Sequence, residues 1–219
     1  MDLFHGSYEC VPQPQIELCR DFNDYGRGFY CTQDEQLARE WACQHPTRDG
    51  FCNRYRLDEA GLCVIDLDED PYTPLNWIAV LMANRPFSSE WQHATIPAFV
   101  EKYGVDLSQA DVVVGYRADD SYFSIARSFA SGALTLEQTV DALHLGALGK
   151  QIVLCSPKAF EQLCFINAEH VRAAQWHPKW AQRDAQARAR FNAMKAEPDF
   201  GGTRIYDLLK ERGKRNGSI

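Results

Sequence analysis

Asp24-Tyr25-Gly26-Arg27-Gly28-Phe29-Tyr30-Cys31-Thr32 is a glycine-punctuated turn that runs into a short aromatic strand. Working outward, Thr32 or Asp34 can cap a following helix, in which Leu37, Ala38, Trp41 and Ala42 form one apolar face. Upstream, Leu3-Phe4-His5-Gly6-Ser7 reads as a first strand that breaks at a glycine, and the loop after it contains Pro12 and Pro14. The order is therefore strand, loop, turn, strand, helix, with polar and aromatic side chains concentrated at the two strands.

The remaining chain continues this mixture. Residues 51–57 alternate and read as a strand, as do residues 62–67. Helices are expected at 75–82, ended before Pro86, and at 96–103, stopped by Gly104. Ala110 to Tyr116 is a β-branched run that reads as a buried central strand. Residues 120–129 and 135–145 read as helices, the second with Thr135 and Gln138 spaced as a capping box. Residues 151–156 form another core strand ended by Pro157, followed by a helical turn at 159–163 and a last strand at 164–166. Residues 176–195 are rich in Ala, Gln and Arg and read as a helix; Gly201-Gly202 breaks it, and Ile205 to Leu209 reads as a short docked helix before a frayed basic end at 212–219. Short strands with helices inserted between them fit an α+β domain better than a regular βαβ alternation. The expected division is a domain over residues 1–168 and a basic helical extension over 169–219.

Length and composition bound what this chain can be. Its 219 residues are 45% apolar and include 5 Trp, 9 Tyr and 12 Phe, enough for one sizeable core and too aromatic for a disordered chain. The net charge of −7 is uneven. Residues 172–219 hold 11 basic and 5 acidic side chains, a net +6, against −13 for residues 1–171. An acidic body disfavours broad nucleic-acid binding, while the basic segment allows a local contact. No stretch is long and apolar enough to span a membrane, and the N-terminal residues lack the pattern of a signal peptide. The 8 cysteines contain no C-x-x-C pair, so they are expected to be reduced and mostly buried thiols in a cytoplasmic protein. Scattered histidines support no metal site. Cys155, at the end of a core strand, is a candidate nucleophile but a better structural thiol.

His5-Gly6-Ser7, Asp24 to Thr32, Gln36 to Ala42 and Gly115-Tyr116-Arg117-Ala118-Asp119-Asp120 together resemble the motifs of a bacterial family of uncharacterised domains grouped with the H-Y-E branch of the ADP-ribosyltransferase superfamily. The likeness extends over roughly residues 3–168 and includes the strand Gln151-Ile152-Val153-Leu154. It implies a split β-sheet core with inserted helices, NAD as substrate, and a protein or nucleic-acid acceptor of ADP-ribose, or water. It also implies a toxin or effector role, including delivery into a target cell by a non-classical route. Cleaving the nicotinamide–ribose bond passes through an oxocarbenium-like state, so the site must grip the amide, brace the ring and stabilise positive charge on the ribose.

The resemblance distributes these tasks. His5 would bond the adenosine-side ribose, and the backbone of Gly6, beside Ser7, would hold the carboxamide, where close approach excludes a Cβ. Tyr30 would stack on the nicotinamide, with Tyr25 or Phe29 walling the pocket and Thr32 steadying the loop or bonding His5. In an acidic body the pyrophosphate would need local groups such as Arg27 or backbone N–H donors. The third position of the family is an acid, usually Glu; here it falls on Gln151, which offers a hydrogen bond and no charge. Either Gln151 serves, or Asp119 or Asp120 supplies the carboxylate, or the protein binds NAD without turnover.

Plainer readings exist for each residue taken alone. A lone histidine is usually structural, Phe29 and Tyr30 would pack a core, Gly26 and Gly28 would make turns, and Asp119-Asp120 would cap a helix. Order and spacing together favour the catalytic reading. Its rivals are an inactive NAD-binding or partner-binding module of the same fold, and an RNA-acting toxin that uses the basic segment. Acceptor specificity is expected in loops between residues 70 and 108 and around 144–150.

Overall fold

In a computed structural model, the β-branched run becomes β5 (Val112–Tyr116), paired antiparallel with β6 (Lys150–Leu154). These two form the middle of a four-stranded sheet, β2 (Phe29–Cys31), β6, β5 and β4 (Val64–Asp66), in that order. Only β4 and β5 run parallel. A second, three-stranded antiparallel sheet places β3 (Gly50–Leu57) between β1 (Asp2–Ser7) and β7 (Leu163–Val171). The structure describes residues 1–85, 92–117, 120–143, 149–197 and 199–210. The architecture is α+β, as the mixed pattern of short strands and helices leads one to expect.

Strand alternation explains the layers. Val113 and Val153 point to a helical layer of α2 (Pro74–Asn84), α3 (Gln92–Tyr103), α4 (Asp120–Ala130) and α5 (Leu136–Leu143). Val112, Val114, Ile152 and Leu154 point the other way, against Leu3, Tyr55 and Leu57 of the three-stranded sheet and Ala159 of α6 (Pro157–Glu161). The far face of that sheet, through Phe4 and Cys52, is covered by α1 (Glu35–Ala42) and the start of α7 (Ala173–Ala196). The result is four layers, helix, sheet, sheet, helix. Caps follow local chemistry: Asp34, rather than Thr32, accepts from the backbone N–H groups of Gln36 and Leu37 at 2.8 and 3.2 Å. Thr135 and Gln138 make the reciprocal bonds of a capping box, both at 3.2 Å.

The two sheets touch at one rung. Phe4 and Thr32 exchange backbone hydrogen bonds of 2.8 and 2.9 Å. Beyond this rung β1 turns to β3 and β2 turns to β6.

Three expectations are corrected. Residue 168 is no boundary, because β7 runs through it and pairs along its length with β3. The basic segment is built into the body: Trp176, Ala187, Phe191 and Ile205 of α7 and α8 (Ile205–Lys210) are buried in the cores. Part of its charge is also committed, while the frayed end expected at 212–219 lies outside the described residues. Arg183 forks onto the buried Glu40 of α1 at 2.8 and 2.9 Å, Arg188 pairs with Asp184, and Arg204 donates to the carbonyls of Gly132 and Asp199. The eight cysteines are free as expected, yet only Cys31, Cys43 and Cys52 are buried, while Cys10, Cys63 and Cys164 are exposed. Among the described residues no helix is long and apolar enough to cross a membrane.

Gly6 shows how tightly α1 sits on β1. A Cβ there would lie 1.9 Å from the carbonyl oxygen of Ala38 and 2.7 Å from the backbone nitrogen of Ala42. Gly6→Ala is therefore expected to destabilise the protein by about 3 kcal/mol, at the upper end for an overpacked site, read as a lower midpoint in urea unfolding.

Candidate functional site

Where β1 and β2 diverge, a cleft of about 630 Å³ opens, in the range of small-molecule sites. Its walls come from β1, the loop of residues 8–23, β2, α1 and β6, and include His5, Tyr30 and Gln151. Residues 146 positions apart in sequence thus share one cavity because β2 pairs with β6 and is bridged to β1.

His5 fills the gap left by the diverging strands. The Tyr30 carbonyl faces β1 but has no strand partner there; His5 Nδ1 meets it at 2.7 Å. A carbonyl only accepts, so Nδ1 carries the proton and Nε2 carries a lone pair. Burial holds His5 below the ordinary histidine pKa, outweighing the carbonyl's opposite pull. The ring rests on Phe29 at 4.4 Å. Phe29 in turn packs edge-on to Tyr55 at 5.4 Å, so it serves both the cleft wall and the core.

Tyr30 is held at its far end. Its hydroxyl donates to the Gly26 carbonyl at 2.7 Å and accepts from the Tyr25 N–H at 3.0 Å. Gly26 has φ of +79°, a left-handed turn that glycine adopts without strain. Burial raises the Tyr30 phenol well above its ordinary value, so it stays protonated. The anchored hydroxyl leaves the ring as the group Tyr30 offers to the cleft.

Asn53 of β3, fully buried, fastens the start of the loop. Its amide donates to the carbonyls of His5 and Glu9 and to the Ser7 hydroxyl at 3.1–3.3 Å, and its oxygen accepts from Val11 N–H at 2.8 Å. Nothing in the local sequence distinguishes Asn53 from any other strand polar residue. The Ser7 hydroxyl is occupied by this network and by the Glu9 carbonyl, which it reaches at 2.6 Å.

Several expected site residues stand elsewhere. Tyr25 does not wall the cleft: it is buried behind Tyr30, donating to the Tyr116 carbonyl at 2.6 Å and accepting from the Trp77 indole. Arg27 points to solvent and pairs with Asp21 at 2.5 Å, whereas Arg20 and Arg117 are the arginines that border the cleft. Arg117 lies over the Trp41 indole, 4.0 Å from its centroid. Thr32 does not reach His5; its hydroxyl accepts from Asp34 N–H at 3.1 Å, which steadies the strand-to-helix turn. The glycine requirement at Gly6 is set by α1. Asp119 lies outside the described residues, and Asp120 opens α4 with a side chain outside them. Residues 144–148 are likewise outside. Within 70–108 the described residues include α2 and α3 of the helical core and residues 86–91 lie outside them, whereas the loop that lines the cleft is 8–23.

Gln151 is 6% exposed and pairs with Gly115 across the sheet. Its Nε2 lies 3.5 Å from Asp24, and its Oε1 has no partner among the described residues. Burial pushes the Cys155 thiol up to about 11, which disfavours the thiolate that a nucleophile needs. No group of three or more His, Cys, Asp or Glu among the described residues is arranged to hold a metal.

The His5 geometry sets a pH dependence. The unfolded chain takes up a proton at His5 near pH 6.5, before the folded protein does, so stability falls as pH drops through the window below that value. A histidine titration followed by NMR is expected to place His5 below 6.5, with the Nδ1–H tautomer above it.

Comparison with curated proteins gives no match, and comparison with solved structures gives none. A family model, described as a protein of unknown function (DUF3990), matches residues 1–165. That span carries His5, Tyr30, Asn53 and Gln151 and stops just inside β7, before α7 and α8 begin. With three quarters of its length matched, the chain belongs to the DUF3990 family.

Proposed function

We propose that this protein is an NAD-dependent ADP-ribosyltransferase, or an NAD glycohydrolase where water is the acceptor. The observation that carries the reading is the meeting of His5, Tyr30 and Gln151 around one cleft, with His5 Nε2 left as a hydrogen-bond acceptor. An unpartnered buried oxygen on Gln151 supports it, because a hydroxylated ligand would supply the missing donor.

The roles follow from what each group has left to offer. His5 Nε2 accepts from an adenosine-side ribose hydroxyl. The Gly6 backbone takes the carboxamide. The Tyr30 ring, fixed by its anchored hydroxyl, stacks on the nicotinamide. Gln151 accepts from the nicotinamide-ribose hydroxyl. The C–N glycosidic bond then breaks with its electron pair moving to the ring nitrogen, and neutral nicotinamide departs. The acceptor nucleophile adds to the ribose carbon and gives up its proton. Arg20 and Arg117, rather than Arg27, are the arginines that line the cleft and would face the pyrophosphate.

A second reading is binding without turnover. The neutrality of Gln151 favours it, since an amide stabilises a developing cation less than a carboxylate does.

Full-length protein incubated with NAD labelled in the ADP-ribose moiety, with protein, DNA and RNA acceptors, is expected to release nicotinamide. Tyr30→Ala and His5→Ala are each expected to lower that rate by about a hundredfold. Calorimetric binding of NAD with no release selects the binding module. Neither binding nor release overturns both readings.

A further inference from the structure

Behind the cleft wall stands a carboxylate that the roles above do not use. Asp24, only 5% exposed, opens the motif that leads into β2. Its Oδ1 is gripped by Arg85 at the end of α2, by Nε at 2.9 Å and by a terminal nitrogen at 2.8 Å. Its Oδ2 faces Gln151 Nε2 at 3.5 Å.

An ion-paired carboxylate has acceptors and no donor. The amide end facing it must therefore be the NH2 group. The separation is long for a hydrogen bond, yet its sign decides the orientation: the turned-over amide would set a carbonyl dipole against a carboxylate inside a low-dielectric core. With Nε2 committed to Asp24, Oε1 is the end of Gln151 left for a ligand. It is buried, it lacks a donor among the described residues, and Gln151 borders the cleft. Leaving a buried oxygen unsatisfied is unfavourable, and a ligand donor relieves that cost.

We propose that Asp24 is a positioning residue that turns Gln151 so that its carbonyl oxygen is presented to a ligand hydroxyl. The identity of that hydroxyl, on the nicotinamide ribose, rests on the NAD reading above; the orientation does not. Arg85 keeps the charge of Asp24 balanced, so the pair offers a fixed acceptor dipole in place of the acid of the resembling family. The arrangement also explains why a glutamate at 151 would be ill placed here. Two carboxylates at this separation cannot both ionise, and one would hold a proton. Exchanging the two groups keeps the total charge and the contact: the amide at position 24 accepts from Arg85 and donates to the carboxylate at position 151, whose second oxygen faces the cleft.

The test uses the full chain. In its nitrogen–proton spectrum without NAD, the Gln151 side-chain amide is expected to show one downfield, slowly exchanging proton. Asp24→Asn is expected to abolish that signature and to weaken NAD binding about tenfold, the scale of one buried hydrogen bond. Asp24→Asn combined with Gln151→Glu is expected to recover most of that affinity. The proposal is overturned if the unmodified Gln151 amide exchanges and resonates like a solvent-exposed one. It is equally overturned if Asp24→Asn changes neither readout, or if the exchanged pair binds as weakly as Asp24→Asn. Should Asp24→Asn not fold, the unmodified spectrum and the exchanged pair decide. The amide signature without NAD binding would uphold the orientation and overturn the NAD reading.

Discussion

Two backbone hydrogen bonds between Phe4 and Thr32 organise this protein. They are the only rung shared by the two sheets among the described residues, and both strands leave it in different directions. A single rung fixes β1 next to β2 without closing the gap beyond it. The gap leaves the part-buried backbone carbonyl of Tyr30 without a strand partner, and such a carbonyl needs a donor. His5 supplies it, which settles the imidazole's tautomer at the same time. Cleft, histidine orientation and strand divergence are therefore consequences of one constraint.

Burial of charge is the second theme. The body is acidic, yet two of its carboxylates are buried and each is met by an arginine from a distant element: Asp24 by Arg85 of the segment after α2, and Glu40 of α1 by Arg183 of α7. Such pairs are weak evidence for net stability, since desolvation offsets their attraction, but breaking one leaves an uncompensated buried charge. Their positional effect is clearer. Glu40–Arg183 ties the helices beyond the matched family region to the helix that packs on Gly6. Asp24–Arg85 stands behind the cleft wall. From Arg172 to Lys210 the basic segment is thus a structural partner of the acidic body, while residues 211–219 lie outside the described residues.

The sequence was most legible where local chemistry acts. The β-branched run 112–116, the Thr135 and Gln138 cap, and the turn into Phe29 and Tyr30 all carry their signals within a few residues. His5 and Tyr30 stand out by the order and spacing of motifs that resemble a known family, and the cleft brings them together. What was hidden depends on distant neighbours. Tyr25 reads like Tyr30, but the Trp77 indole and the Tyr116 carbonyl hold it in the core. Arg27 looks available until Asp21 meets it. Gly6 fits a ligand-approach reading equally well as a helix-approach one, and only the position of α1 separates them. Asn53 and Asp24 gained their importance from partners 42–48 and 61–127 residues away, which no window of sequence contains.

The central claim is that a dinucleotide enters the gap between β1 and β2. Hydrogen–deuterium exchange of the full chain with and without NAD measures this directly. The account predicts slower exchange in residues 3–11, in the 15–32 segment and in β6 around Gln151, with α7 and α8 unchanged. Unaltered exchange at these segments with saturating NAD, or protection confined to α7 and α8, would contradict it.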